Sequence, residues 1–277
     1  MGNKILTLFD MEFKRVQKLY FLMLSLLTMG NIGIFILGVY RAILDVRVER
    51  GLKVGISILK EEIGQHMLLR FQLSTFIYDL SSMIFAICII ACLLYSFFIW
   101  YRDFHGKSKS IYTLLMLPEN RFIIFISKFI TMIALFFGVI LTQYLCWAVY
   151  IFILSKYTNM PFMDMLESMK NLRELTYMFG FNIIICPVEF LVKIILTAIV
   201  AISTLFTTSL IFLSKRKVGW ILGTIYAVVI FITYVIVNVG AYEFSDLALK
   251  INILLSLGII VLSIAQSYNL LKNKVYE

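Results

Sequence analysis

The sequence predicts an all-α integral membrane protein of six transmembrane helices, with an N-terminal interfacial helix and a short cytoplasmic helix between spans 2 and 3. Two observations predict this. First, 61% of the 277 residues are hydrophobic and only 15% are charged, too little polar surface to coat a soluble domain of this size. Second, six uncharged runs of 21–27 residues are spread along the chain. Crossing roughly 30 Å of hydrocarbon takes about 20 apolar residues. Such runs must be helical, because lipid offers the backbone no hydrogen-bond partners.

The runs cover residues 19–40, 80–101, 129–155, 194–214, 218–242 and 251–271, within a single transmembrane domain, 1–277. The first is too long for a signal-peptide core and has no small-residue cleavage site after it, so it is expected to remain as an uncleaved signal anchor. Lys and Arg set the orientation. With both termini on one side, that side holds segments 1–18, 102–128, 215–217 and 272–277, carrying 14 Lys and Arg against 5 Asp and Glu. The other side, 41–79, 156–193 and 243–250, carries 11 of each in a longer stretch. The basic side is cytoplasmic by the positive-inside rule. The net charge of +9 is therefore a topology signal, and no nucleic-acid partner is expected. The expected location is the plasma membrane, multi-pass, with lipid as the first partner.

Residues 1–18 place Ile5, Phe9, Phe13 and Val16 at helical spacing, with Asp10, Lys14 and Lys18 on another face. This is the pattern of an amphipathic helix lying in the interface. Residues 175–188 are apolar over only 14 positions, and Pro187, Glu189 and Lys193 follow. A seventh span there would put Lys215, Arg216 and Lys217 outside, so residues 175–193 read as a re-entrant or interfacial segment, or as an outward extension of span 4.

Few residues offer chemistry. Glu189 and Lys193 are four apart, a spacing that allows an ion pair. They fit either the outer rim of span 4 or a translocation path. Ser203 and Thr207 form one edge of a small polar stripe in span 4, read as helix packing or, secondarily, as path lining. Gly219, Gly223 and Ala227 form a small-residue ridge in span 5, a helix-packing signature. The cysteines Cys88, Cys92, Cys146 and Cys186 form no CxxC, and His66 and His105 sit in different loops, so no metal site is expected. The chain has no GxxxxGK[ST] loop and cannot itself hydrolyse ATP in the P-loop manner. No enzyme constellation is visible and no catalytic residue is assigned.

Between spans 2 and 3, Ser110 to Leu117 can form two turns of amphipathic helix that Pro118 stops, and basic residues flank it on both sides. Here the chain resembles the permease subunits of ABC type-2 exporters. In that family the first cytoplasmic loop carries a coupling helix with an acidic–x–Gly–Thr–x–x–x–Leu–Leu–x–x–Pro–x–x–Arg pattern, then a Lys opening the next helix. Leu114, Leu115, Pro118, Arg121 and Lys128 match in order, and Asp103 and Gly106 stand for the acidic residue and the glycine. Gly106 is followed by Lys107 rather than Thr. The resemblance implies that the 103–121 loop, Glu119 included, and Lys128 couple to cytoplasmic ABC ATPase subunits. It also implies a second permease subunit, identical or related, and a bacterial cell membrane. ATP and Mg would be used by the partner ATPase, none bound by this chain. The outer loops total 85 residues in three pieces, too small for a receptor domain, so the cargo expected is amphipathic or lipophilic, such as a peptide, antibiotic or lipid. The alternative is a self-sufficient secondary transporter using Glu189 and Lys193.

Overall fold

A computed structural model describes residues 2–50, 67–105, 122–158, 187–214, 218–241 and 245–273. These form six helices and, among the described residues, no strand: α1 Gly2–Arg50, α2 Met67–His105, α3 Phe122–Thr158, α4 Pro187–Ser214, α5 Gly219–Ala241 and α6 Ser245–Asn273. Each carries one of the six apolar runs, α5 all of 218–242 but its end residues, and each is long and apolar enough to span a membrane.

The helices outrun the spans. At about 1.5 Å per residue, the 49 residues of α1 extend more than twice the roughly 30 Å of a hydrocarbon core. Residues 2–18 and span 1 are one uninterrupted helix, because the sequence holds neither Pro nor Gly between Asn3 and Met29 and a formed helix propagates cheaply through good helix formers. The same helix continues past residue 40 to Arg50, where Gly51 follows in the sequence, as it does after many helices. Likewise α2 begins at Met67, upstream of the apolar run at 80. The start of α4 at Pro187 uses a proline at the first helical position, where its missing N–H costs nothing. Residues 187–193 are therefore an extension of span 4, while 175–186 lie outside the described residues.

The chain divides into two compact units. One consists of Leu19–Ile89 and Gly138–Phe190. Within it, α1 and α2 run antiparallel: Gly30 meets Ile84, Asn31 meets Ser81, and Arg41 lies 4.8 Å from the ring centre of Phe76. α1 and α3 run parallel there, with Tyr20 against Gly138, Asn31 against Gln143 and Phe35 stacked on Tyr150 at 5.2 Å. At Gly138 a Cβ would meet the Tyr20 phenol, so glycine lets the Tyr20 ring lie against the α3 backbone as it does here.

The other unit consists of Met1–Lys18, Ile90–Phe137 and Leu191–Glu277. Its core is aromatic. Phe206 of α4, fully buried, has ring neighbours Trp100 at 5.8 Å, Phe125 at 5.7 Å and Phe129 at 5.9 Å. All three meet it edge to face, the arrangement the ring quadrupole favours. α5 and α6 are antiparallel, joined through Tyr226–Ser263 at 2.8 Å and Tyr234–Asn252 at 3.4 Å. α5 rests on α4 along its small-residue ridge. Gly219 and Gly223 are buried, a Cβ at Gly223 would strike the Phe212 ring, and that ring stacks on Trp220 at 5.2 Å. The rest of α5 carries exposed apolar side chains, including Ile221, Val228 and Phe231, as suits a helix facing lipid.

Candidate functional site

The site is built around Glu12. Along α1, Ile5, Phe9 and Phe13 are half-buried and Val16 is buried, while Asp10, Lys14 and Lys18 are exposed. The apolar positions of the amphipathic pattern thus form the less exposed face. Glu12 lies on that face too, three residues from Phe9 and four from Val16, and only 5% of it is exposed. A buried carboxylate must be paired or neutralised, and three cations meet this one. Arg102, near the end of α2, donates from Nη2 to Glu12 Oε2 at 3.0 Å. Lys128, in the second turn of α3, places Nζ 3.4 Å from Oε1. Arg15, one turn along α1, donates to Oε1 at 3.4 Å.

These pairs are unequal. The Lys128 side chain is 1% exposed, against 39% for Arg15 and 38% for Arg102. An exposed ion pair is worth roughly 0–1 kcal/mol, whereas a buried charge without its partner costs several. The Lys128 ammonium also lies 5.1 Å from the ring centre of Trp100, within reach of a cation–π attraction, about 2 kcal/mol where water is excluded. Arg102 bonds to Tyr95 Oη as well, at 3.2 Å, which aims its guanidinium along α2. Glu12 therefore ties together the N-terminal part of α1, the end of α2 and the start of α3. The last two flank, in the sequence, the loop between spans 2 and 3.

Among the residues assigned to coupling, Lys128 is thus a buried member of this cluster. Asp103 is part of α2, with its side chain outside the described residues; Gly106, Leu114, Leu115, Pro118, Glu119 and Arg121 lie outside them altogether. Glu189 and Lys193 are on the first turns of α4, and their side chains are likewise outside the described residues.

Ser203 and Thr207 are both buried and their hydroxyls are engaged. Ser203 donates to Val200 O at 2.9 Å. Thr207 directs its one proton at the carbonyls of Ser203, 2.8 Å, and Ser263, 3.0 Å. It therefore accepts from Ser267 Oγ at 3.0 Å. With Tyr226 on Ser263, this chain of hydroxyls links α4, α5 and α6. Ala227 is half-buried on α5, one turn beyond Gly223.

A second polar centre lies in the other unit and was not singled out from the sequence. Ser81 Oγ of α2 donates to Asn31 Oδ1 at 2.6 Å. It accepts from Gln143 Nε2 at 2.5 Å and Trp147 Nε1 at 2.8 Å. Asn31 Nδ2 donates to Gln143 Oε1 at 3.0 Å and to Leu27 O at 2.8 Å. Asn31, Ser81 and Gln143 are fully buried, so the network locks α1, α2 and α3 together by groups whose donors and acceptors satisfy one another. A double-mutant cycle with Asn31→Ala and Gln143→Ala, read by unfolding in mixed micelles, is expected to give a coupling of about 0.6 kcal/mol, and at most ~1.7.

No cluster of three or more His, Cys, Asp or Glu able to hold a metal occurs among the described residues. No protein-family model matches the chain, and no curated protein or solved structure matches it.

Proposed function

We propose that this chain is the membrane-spanning permease subunit of an ATP-driven exporter, a transport subunit powered by separate cytoplasmic ATPase chains that dock on the 103–121 loop. The observation that carries this reading is the anchoring of the loop's two flanks. Arg102 and Lys128 are both held by Glu12, so a push on the loop is delivered to α2 and α3 together rather than absorbed in a slack connection. Force on the end of a long helix tilts the whole span, and coupling of this kind needs a contiguous physical element. The Leu114–Leu115–Pro118–Arg121 pattern and the absence of a phosphate loop in the sequence support the same division of labour. Both termini are assigned to the cytoplasm by the basic excess, residues 1–18 to the cytoplasmic membrane interface, and a second permease subunit completes the pathway. The cargo is an amphipathic or lipophilic molecule.

The test is co-purification of the tagged full chain from native membranes in mild detergent. Wild type is expected to bring down an ATPase bearing a P-loop. Leu114→Asp combined with Leu115→Asp is expected to abolish that capture while leaving membrane insertion unchanged. Undiminished capture by the double variant would overturn the docking assignment.

A further inference from the structure

We infer that Glu12 is a positioning residue that makes the N-terminal part of α1 move as one body with the two helix ends flanking the loop between spans 2 and 3. Its consequence for energy coupling rests on the ATPase reading above; the mechanical linkage does not.

The argument comes from how the cluster is divided among the helices. α1 supplies the carboxylate, while α2 and α3 each supply a cation that pairs with it. The two oxygens are divided as well. Oε2 takes Arg102 at 3.0 Å and Oε1 faces Lys128 at 3.4 Å, so one planar carboxylate fixes two directions at once. The Lys128 side chain is 1% exposed and Glu12 6%, so water cannot replace either partner cheaply when the helices slide. Trp100, fully buried on α2, adds a second link, because its ring lies 5.1 Å from the Lys128 ammonium and 6.2 Å from Phe125 on α3. Trp100 links α2 to α3 and, through Phe206, to α4, while Glu12 brings in α1. The amphipathic segment at the start of the chain is then more than an anchor in the interface: it is a third lever, driven whenever the loop flanks move.

The experiment places spin labels on the full chain, in a cysteine-free background, at the exposed positions Met11 of α1, Tyr101 of α2 and Ile130 of α3. Pairwise distances are measured in nanodiscs of phosphatidylethanolamine and phosphatidylglycerol. Wild type is expected to give narrow distributions for all three pairs. Glu12→Gln, which keeps shape and removes charge, is expected to broaden the Met11–Tyr101 and Met11–Ile130 distances and spare Tyr101–Ile130. Glu12→Asp restores narrow distributions in part. Arg102→Gln leaves Glu12 paired with Lys128 and Trp100 against Phe125, so it broadens Met11–Tyr101, though less than Glu12→Gln does, and spares Met11–Ile130, a selectivity that general loosening of the fold would not produce. This variant decides the matter if Glu12→Gln does not fold. Unchanged distances from Met11 in these variants, or equal broadening of all three pairs by Arg102→Gln, would overturn the linkage. In the co-purified complex with Mg·ATP, the three wild-type distances are expected to stay fixed relative to one another. Wild-type distances from Met11 that change with nucleotide would overturn joint motion even if the ATPase is bound. Failure to capture any ATPase would sink the functional reading and leave the linkage to the nanodisc result.

Discussion

Replacing Glu12 by Ala is expected to destabilise the protein by about 3–5 kcal/mol, the cost of leaving a buried cation without its counter-charge. Nearly all of that loss belongs to Lys128, whose side chain is 1% exposed. Arg102 and Arg15 are more than a third exposed, so solvent screens what they lose. The partner substitutions therefore rank in a definite order. Arg15→Ala should cost little, Arg102→Ala more because it also abandons Tyr95, and Glu12→Ala most. Combining Glu12→Ala with Lys128→Met, which removes both buried charges and keeps the volume, should recover much of the loss. Unfolding in mixed micelles, followed by tryptophan fluorescence because Trp100 lies against the cluster, reads all four.

The second large effect is expected at Phe206. Its ring is fully buried and is the hub of the aromatic core, meeting Trp100, Phe125 and Phe129. Phe206→Ala opens a cavity bounded by rings from α2 and α3, which cannot collapse without moving helices. The expected cost is about 3 kcal/mol, the lower end of the usual Phe→Ala range, because lipid is as apolar as the core and the transfer contribution is weak in a membrane. Phe206→Leu should recover more than half of it. Phe231→Ala is the control: Phe231 is 68% exposed on α5, and its removal should be nearly silent. The same micelle titration distinguishes the three.

What could be read from the sequence follows from how lipid constrains a chain. Six uncharged runs of sufficient length are an unambiguous physical signal, and each run falls on a helix of its own, α5 taking all of 218–242 but its end residues. Helix ends outside those runs were not legible. Residues 41–50 and 67–79 are charged and mixed in character, so no uninterrupted apolar run marks them as helix. The apolar face of residues 5–16 is legible in the sequence, but helical spacing alone does not mark Glu12 on it as different from other acidic residues. The available signal was its position: a carboxylate flanked at helical spacing by Phe9, Phe13 and Val16 implies basic partners on other helices. Asn31 and Gln143 left a similar trace. They are the only amide side chains in runs 19–40 and 129–155, and polar groups at that depth seek one another. Which partner each finds is a matter of helix packing, which one sequence does not encode in readable form. The Ser203–Thr207 stripe was visible, yet its partners Ser263 and Ser267 lie on a helix whose serines are spaced like any others.

If the 103–121 loop, with its flanks held by Glu12, is where an ATPase delivers force, the loop's lysines lie within reach of that ATPase. Lys107 and Lys109 stand in the loop, so amine-reactive cross-linking in intact native membranes, followed by mass spectrometry of the joined peptides, reads the contact. The expected result is a set of cross-links from Lys107 or Lys109 to a protein carrying a P-loop, lost in the Leu114→Asp, Leu115→Asp variant. Cross-links from these lysines to other proteins only, with Lys107 and Lys109 shown to be reactive and no P-loop partner among the products, would contradict it.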